Sequence, residues 1–97
     1  MTVSDLKILS AIINKSDNIG IIKMNGCTKK IIEQKTKLSK TKINTTLRML
    51  LSEGYIEKGL NKGNQHTFVV TNKGLKLILE MNGKLKEEYN KWVIYFI

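Results

Sequence analysis

Proline is absent from this chain, and cysteine, tryptophan, histidine and arginine each occur once. A lone cysteine, Cys27, excludes an intrachain disulfide and a zinc site built from several thiolates. Its plain role is that of a small residue near a helix start. The single histidine, His66, has no neighbouring cysteine and no pair of carboxylates at catalytic spacing. Glu87 and Glu88 are adjacent, so they point to different sides of a helix and cannot act as one acid–base pair. A glycine-rich phosphate loop is missing as well. These gaps leave an enzyme without support, and no cofactor or metal is expected. No segment reaches the roughly 18 consecutive apolar residues of a membrane span. The N-terminal MTVSDLKILSAII carries its acid early and lacks a basic region and a small-residue cleavage site, so a cytoplasmic protein with no membrane partner is expected. Without proline, low-complexity tracts or repeats there is no evident linker, and residues 1–97 read as one domain.

Acidic residues are also scarce. Eight Asp and Glu face 17 Lys and Arg, giving a net charge of +9 and a pI near 9.8, a balance suited to a polyanionic partner. Composition alone leaves two readings open, because a chain rich in Ile, Lys and Asn is also what an AT-rich coding sequence yields. Placement is more informative than the total. From Lys23 to Arg48 there are eight basic residues and only Glu33 to oppose them.

Local signals divide the chain into short elements. Ser4 with Asp5 can cap a first helix whose Leu6, Ile8, Leu9, Ile12 and Ile13 form one stripe up to about Lys15. Ser16-Asp17-Asn18 is a polar break, and β-branched Ile19 to Met24, closed by Asn25-Gly26, reads as a brief strand and turn. Thr28 can cap a second helix with Ile31 and Ile32 inward, and Leu38 would plug the turn that follows. Ser39 is a good N-cap for a third helix. Its Ile43, Leu47, Leu50 and Leu51 recur at helical spacing as one buried face, and Gly54 supplies the left-handed residue that ends it. At about 100° per residue, the opposite face carries Thr41, Lys42, Thr45, Arg48 and Ser52, with Asn44 on its flank. An ordinary surface helix interleaves Glu with Lys; here no acid appears before Glu53.

Tyr55 to Gly59 and His66 to Thr71 read as two antiparallel strands, with Ile56, Phe68 and Val70 inward. The polar connection Leu60 to Gln65 places Lys62 at its tip. Thr71 or Asn72 can cap a fourth helix bearing Leu75, Ile78 and Leu79, broken at Asn82-Gly83. From residue 84 to 97, Leu85, Tyr89, Trp92, Val93 and Phe96 form an amphipathic stripe, and the last six residues are apolar nearly all round. Such a patch should be covered, either by a second copy or by folding back on the monomer's own core. The order is therefore helix-turn-helix over residues 28–53, a hairpin wing over 55–71 and a C-terminal helix over 84–97: mainly α with a small β-hairpin.

The span from Gly20 to Leu79, about sixty of the 97 residues, resembles the winged helix-turn-helix domain of small prokaryotic DNA-binding regulators, the MarR type among them. The matching pieces are Ile32 with Leu38-Ser39-Lys40-Thr41 around the turn, Leu47 to Leu50 running into Glu53-Gly54-Tyr55-Ile56, and Phe68-Val69-Val70-Thr71-Asn72-Lys73-Gly74 leading into a helix. Two positions depart from the pattern. Lys37 stands where a glycine often makes the turn, and Glu33 where a small residue often packs between the helices. The resemblance implies DNA binding, usually as a symmetric dimer. Winged-helix proteins of this size also include the centromere-binding adaptors of tubulin-like plasmid and phage partition systems.

These readings lead to a sequence-specific double-stranded DNA-binding homodimer, a transcriptional regulator or repressor. A partition adaptor, which would add a filament-protein partner, is the alternative. A winged-helix module that binds protein instead of DNA is a third reading, disfavoured because interface cores usually lack lysine. RNA is disfavoured because the basic face has no aromatic platform for stacking bases. Thr41, Asn44, Thr45 and Arg48 are expected to read bases, since Arg to guanine is the commonest specific contact. Lys29, Lys30, Lys35, Lys37, Lys40, Lys42 and Lys62 are expected to hold phosphates. Leu85, Tyr89, Trp92, Val93 and Phe96 are expected to form the dimer interface.

Overall fold

A computed structural model describes residues 1–13, 19–21 and 23–81. Its first helix, α1, runs Val3–Ala11. The cap is Thr2 rather than the expected Ser4: its hydroxyl accepts the Asp5 N–H, and the Asp5 carboxylate accepts the Thr2 N–H in return. Asp5 is thus the third-position partner of a capping box, which satisfies two otherwise orphaned donors. The brief strand expected over Ile19 to Met24 is not formed as such. Ile19 makes an isolated bridge and Lys23–Asn25 is a single 3-10 turn.

Strand β1, Cys27–Thr28, leads directly into α2, Lys29–Thr36, which is capped by the Thr28 hydroxyl accepting from the Ile31 N–H. Helix α3 follows as Lys40–Ser52. Strands β2, Ile56–Lys58, and β3, Thr67–Val70, form the hairpin. Residues 72–81 are helical and are called α4. The sheet has three antiparallel strands in the order β1-β3-β2, the two expected of the hairpin joined by Cys27–Thr28, which was expected to precede and cap α2. Cys27 pairs with Phe68, while Ile56 pairs with Val70 and Lys58 with Phe68. Among the described residues, four helices and a small antiparallel sheet in this order make a winged helix-turn-helix fold.

One core joins the elements. Ile8, Leu9 and Ile12 meet Ile32 of α2, Ile43, Leu47 and Leu50 of α3, Ile56 and Phe68 of the sheet, and Ile78 of α4. The inward face expected of α3 is present, with Leu51 only half-buried at its margin. Likewise Ile32 is fully buried, whereas Ile31 and Leu38 are half-buried. On β3 the burial does not alternate. Thr67 and Val69 are buried on the sheet's other face, where the Thr67 hydroxyl donates to the Leu60 carbonyl.

The end of α3 is a Schellman cap: the Tyr55 N–H bonds the Leu50 carbonyl, and the Gly54 N–H bonds that of Leu51. Gly54 takes the required positive φ of 78°. The start of α4 is fastened to this same point. Thr71 caps α4 by accepting the Gly74 N–H, and its hydroxyl donates to the Gly54 carbonyl. Lys73 lies over the Tyr55 ring and donates to the Glu53 carbonyl. Gly74 packs so closely that an added Cβ would sit 2.1 Å from the Tyr55 carbonyl oxygen. Two of the three sequence stretches that carried the family resemblance, the end of α3 and the entry to α4, are therefore in contact with each other. On α4, Ile78 is buried but Leu75 and Leu79 are 42% and 56% exposed. The expected dimer residues Leu85, Tyr89, Trp92, Val93 and Phe96 lie outside the described residues.

Candidate nucleic-acid interface

The turn between α2 and α3 sets where α3 points. Thr36 is buried at the end of α2, where its hydroxyl donates to the Ile32 carbonyl and accepts the Leu38 N–H. The buried Thr36 hydroxyl thus both donates and accepts at the bend. Lys37 then adopts the left-handed conformation, φ 61° and ψ 18°, with its N–H on the Glu33 carbonyl. A glycine would take that conformation without a Cβ penalty; for lysine it costs about 1–2 kcal/mol. The turn geometry is kept despite the unusual residue. Ser39 caps α3 by accepting the Lys42 N–H at 3.2 Å.

Around α3 the burial divides cleanly. Ile43, Thr46, Leu47 and Leu50 are buried, whereas Thr41, Asn44, Thr45, Arg48 and Ser52 are exposed. The four residues expected to read bases thus share one solvent face near the N-terminal half of the helix. Between Lys40 and Arg48 that face has no carboxylate.

The lysines separate into two groups. Lys29, Lys30, Lys37 and Lys40 are exposed. Lys62 is exposed too, but its ammonium reaches back 3.2 Å to the Asn25 side chain, so the tip of the wing is the Gly63-Asn64 turn closed by paired Lys62 and Gln65 backbone bonds. Lys35 and Lys42 do not point outward as expected. The Lys35 ammonium donates to the Ala11 carbonyl at 3.0 Å and to that of Ile13 at 3.3 Å. It caps the electronegative end of α1, which otherwise has unsatisfied carbonyls. Lys42 makes a 2.9 Å ion pair with Asp5.

Asp5 is the residue that sequence reasoning undervalued. Its Oδ1 accepts from both Lys42 and the buried Thr46 hydroxyl, the latter at 2.8 Å, while Oδ2 accepts the Thr2 N–H. Burial pushes the carboxyl's pKa up, but the hydrogen bonds from Lys42, Thr2 and Thr46 outweigh it and hold the group well below the usual carboxylate range. The start of α1 is thereby tied to the middle of α3. A buried acid forty-one positions away from its partner leaves no periodic mark in the sequence.

On its other flank α3 faces the sheet across a concavity of about 300 Å³, lined by Lys29, Asn44, Leu47, Arg48, Leu51, Lys58, His66 and Phe68. Smaller recesses continue it between α2 and the wing, lined by Lys30 and Gln65, and along the start of α3, lined by Glu33 and Lys40. Lys58 and His66 were not among the residues expected here.

Cys27 is fully buried in β1. Burial pushes its thiol up to about 11, against the opposing pull of Lys35 and Lys62. It is a protonated packing residue at neutral pH, not a nucleophile. Among the described residues no group of three or more His, Cys, Asp or Glu could hold a metal ion, and no helix is long and apolar enough to cross a membrane.

A comparison with protein-family models finds no match, and neither does one with curated proteins. Among solved structures, the chain resembles the crystal structure of the PcaV transcriptional regulator from Streptomyces coelicolor in complex with its natural ligand. The superposition has a TM-score of 0.64 at 16% identity and covers 99% of this chain and 70% of that one. At that identity the likeness is one of fold, and the fold it corroborates is the winged helix-turn-helix.

Proposed function

We propose that this protein is a sequence-specific double-stranded DNA-binding protein that acts as a homodimer to regulate transcription. The observation that carries the reading is the exposed, acid-free face of α3 formed by Thr41, Asn44, Thr45 and Arg48. A helix of that face entering the major groove brings an amide, two hydroxyls and a guanidinium to the base edges. Lys29, Lys30, Lys37, Lys40 and Lys62 flank it as phosphate contacts that fix register without reading sequence. The fold shared with PcaV supports a regulator, since that protein is named as one. The dimer is proposed through the C-terminal stripe of Leu85, Tyr89, Trp92, Val93 and Phe96. It is supported by the exposed Leu75 and Leu79 on the helix that leads towards those residues.

Selection of bound duplexes from a random pool, followed by sequencing, tests the reading. A single inverted repeat is expected. Enrichment of tandem arrays would instead assign the partition-adaptor role. No enrichment and no duplex binding at low ionic strength would leave a protein-interaction module as the better description.

A further inference from the structure

The inner face of the wing changes character along its length. Paired strand residues share a face and residues two apart along a strand return to it. Ile56 pairs with Val70, and Lys58 with Phe68. His66 lies two residues before Phe68. This one face therefore runs from Ile56 and Val70 through Phe68 to Lys58 and His66. The first part packs on the core, with Phe68 only 3% exposed. Where the face runs past the core it turns cationic, and there it meets Arg48, Asn44 and Lys29 around the concavity beside α3. The floor is apolar, made by Leu47, Leu51 and Phe68, and no carboxylate lines it.

Two explanations compete for basic residues on an inward face. An inward charge on an edge strand protects against edge-to-edge pairing, and β2 is an edge strand. That accounts for Lys58 but not for His66, which precedes the central strand β3, nor for Lys29, which opens α2. Convergence of three separate elements on one acid-free hollow is what an anionic group requires.

We propose, resting on the DNA-binding reading above, that this concavity seats one backbone phosphate of the DNA strand that runs between the recognition helix and the wing. Lys58 and Lys29 supply the charge of its rim, the His66 imidazole adds a polar contact, and the edge of the adjoining deoxyribose rests on half-buried Leu51. Arg48 at the lip remains directed to a base. The wing then grips DNA at its root as well as at its tip, so the distance between groove-reading helix and wing is fixed by a phosphate held between them.

The test measures duplex affinity against salt concentration for the full chain, for Lys58→Ala with His66→Ala, and for the restoring pair Lys58→Arg with His66→Lys. Both positions are exposed, so the variants should fold, which a thermal melt verifies. The alanine pair should weaken binding to selected and random duplexes by the same factor, on the order of ten-fold. The slope of log affinity on log salt should fall by about one unit. The selected base preference should be unchanged, and the restoring pair should regain the slope. Lys76→Ala, on exposed α4, should alter nothing. Wild-type protein that binds DNA while the alanine pair keeps the full salt slope overturns the phosphate seat and leaves the DNA-binding reading standing. A change in base preference at unchanged slope also overturns it, by making these residues base readers. Wild-type protein that binds no duplex overturns both.

Discussion

Lys40 and Lys42 are two residues apart on the same helix, yet they do opposite jobs. Lys40 stands exposed at the start of α3, and Lys42 is turned a further 200° and paired with Asp5 of α1. The same division repeats on α2, where Lys30 is exposed and Lys35 closes the end of α1. A basic motif therefore holds two populations, one whose charge is exposed to solvent and one that holds the helices in place. Counting charges along the chain overstates the first population.

The comparison breaks most sharply at Asp5. Asp5→Ala removes the acceptor of Lys42, Thr46 and Thr2, leaving the buried Thr46 hydroxyl without that partner, and should cost about 2–4 kcal/mol in a urea unfolding titration. Its pH dependence has a definite sign. Because the folded-state pKa is depressed, the contribution is fully present above the unfolded-state value near 4 and is lost as pH falls below it. Wild-type stability should therefore drop below about pH 4, and Asp5→Asn should flatten that drop. An unaltered acid limb would mean the Asp5 cluster does not tie α1 to α3.

Arg48→Ala is the corresponding change on the outward face. It should leave stability within about 0.5 kcal/mol of wild type and weaken specific binding by about 1–3 kcal/mol, relaxing preference at one base position. Equal losses on selected and random duplexes would reassign Arg48 to a phosphate. The lysine pair sharpens the contrast further. Lys40→Ala should lower the salt slope of binding by about one unit, whereas Lys42→Ala and Lys35→Ala should leave the slope unchanged and lower the melting temperature instead. Equal slopes for all three would erase the distinction between the two populations.

The smallest effect is the most diagnostic of the turn. Lys37→Gly relieves the left-handed strain of about 1–2 kcal/mol but adds the backbone entropy of glycine, about 0.5–1 kcal/mol, so the fold should gain up to about 1.5 kcal/mol. The same change removes a cation, and the salt slope should fall. Stability that rises while DNA affinity drops would place Lys37 at the turn for its charge and not for its conformation.

Signals that act over a few residues were legible in the sequence. Ser39 and Thr28 cap the helices they were expected to cap, Gly54 ends α3, and Ile43, Leu47 and Leu50 form its buried face. What escaped was set by distant partners. Strand β1 is two residues long and exists because Phe68, some forty positions on, pairs with Cys27. Lys35 and Lys42 resemble their exposed neighbours in sequence, and only the approach of α1 sets them apart. Lys58 and His66 line the concavity beside α3 through strand register, which a hairpin assigned only to Tyr55–Gly59 and His66–Thr71 did not resolve. Thr2 displaced Ser4 as the first cap because Asp5, at the third helical position, completes a box with the earlier residue.

The most direct measurement is a map of backbone amide shifts as a duplex oligonucleotide is added to isotopically labelled protein. We expect the largest changes at residues 40–48, at Lys29 and Lys30, and in the wing from Lys58 to His66, with α1 and the exposed face of α4 little affected. Changes concentrated around Lys7, Lys73 and Lys76 instead, with α3 silent, would contradict the assignment of the α3 face as the surface that meets DNA.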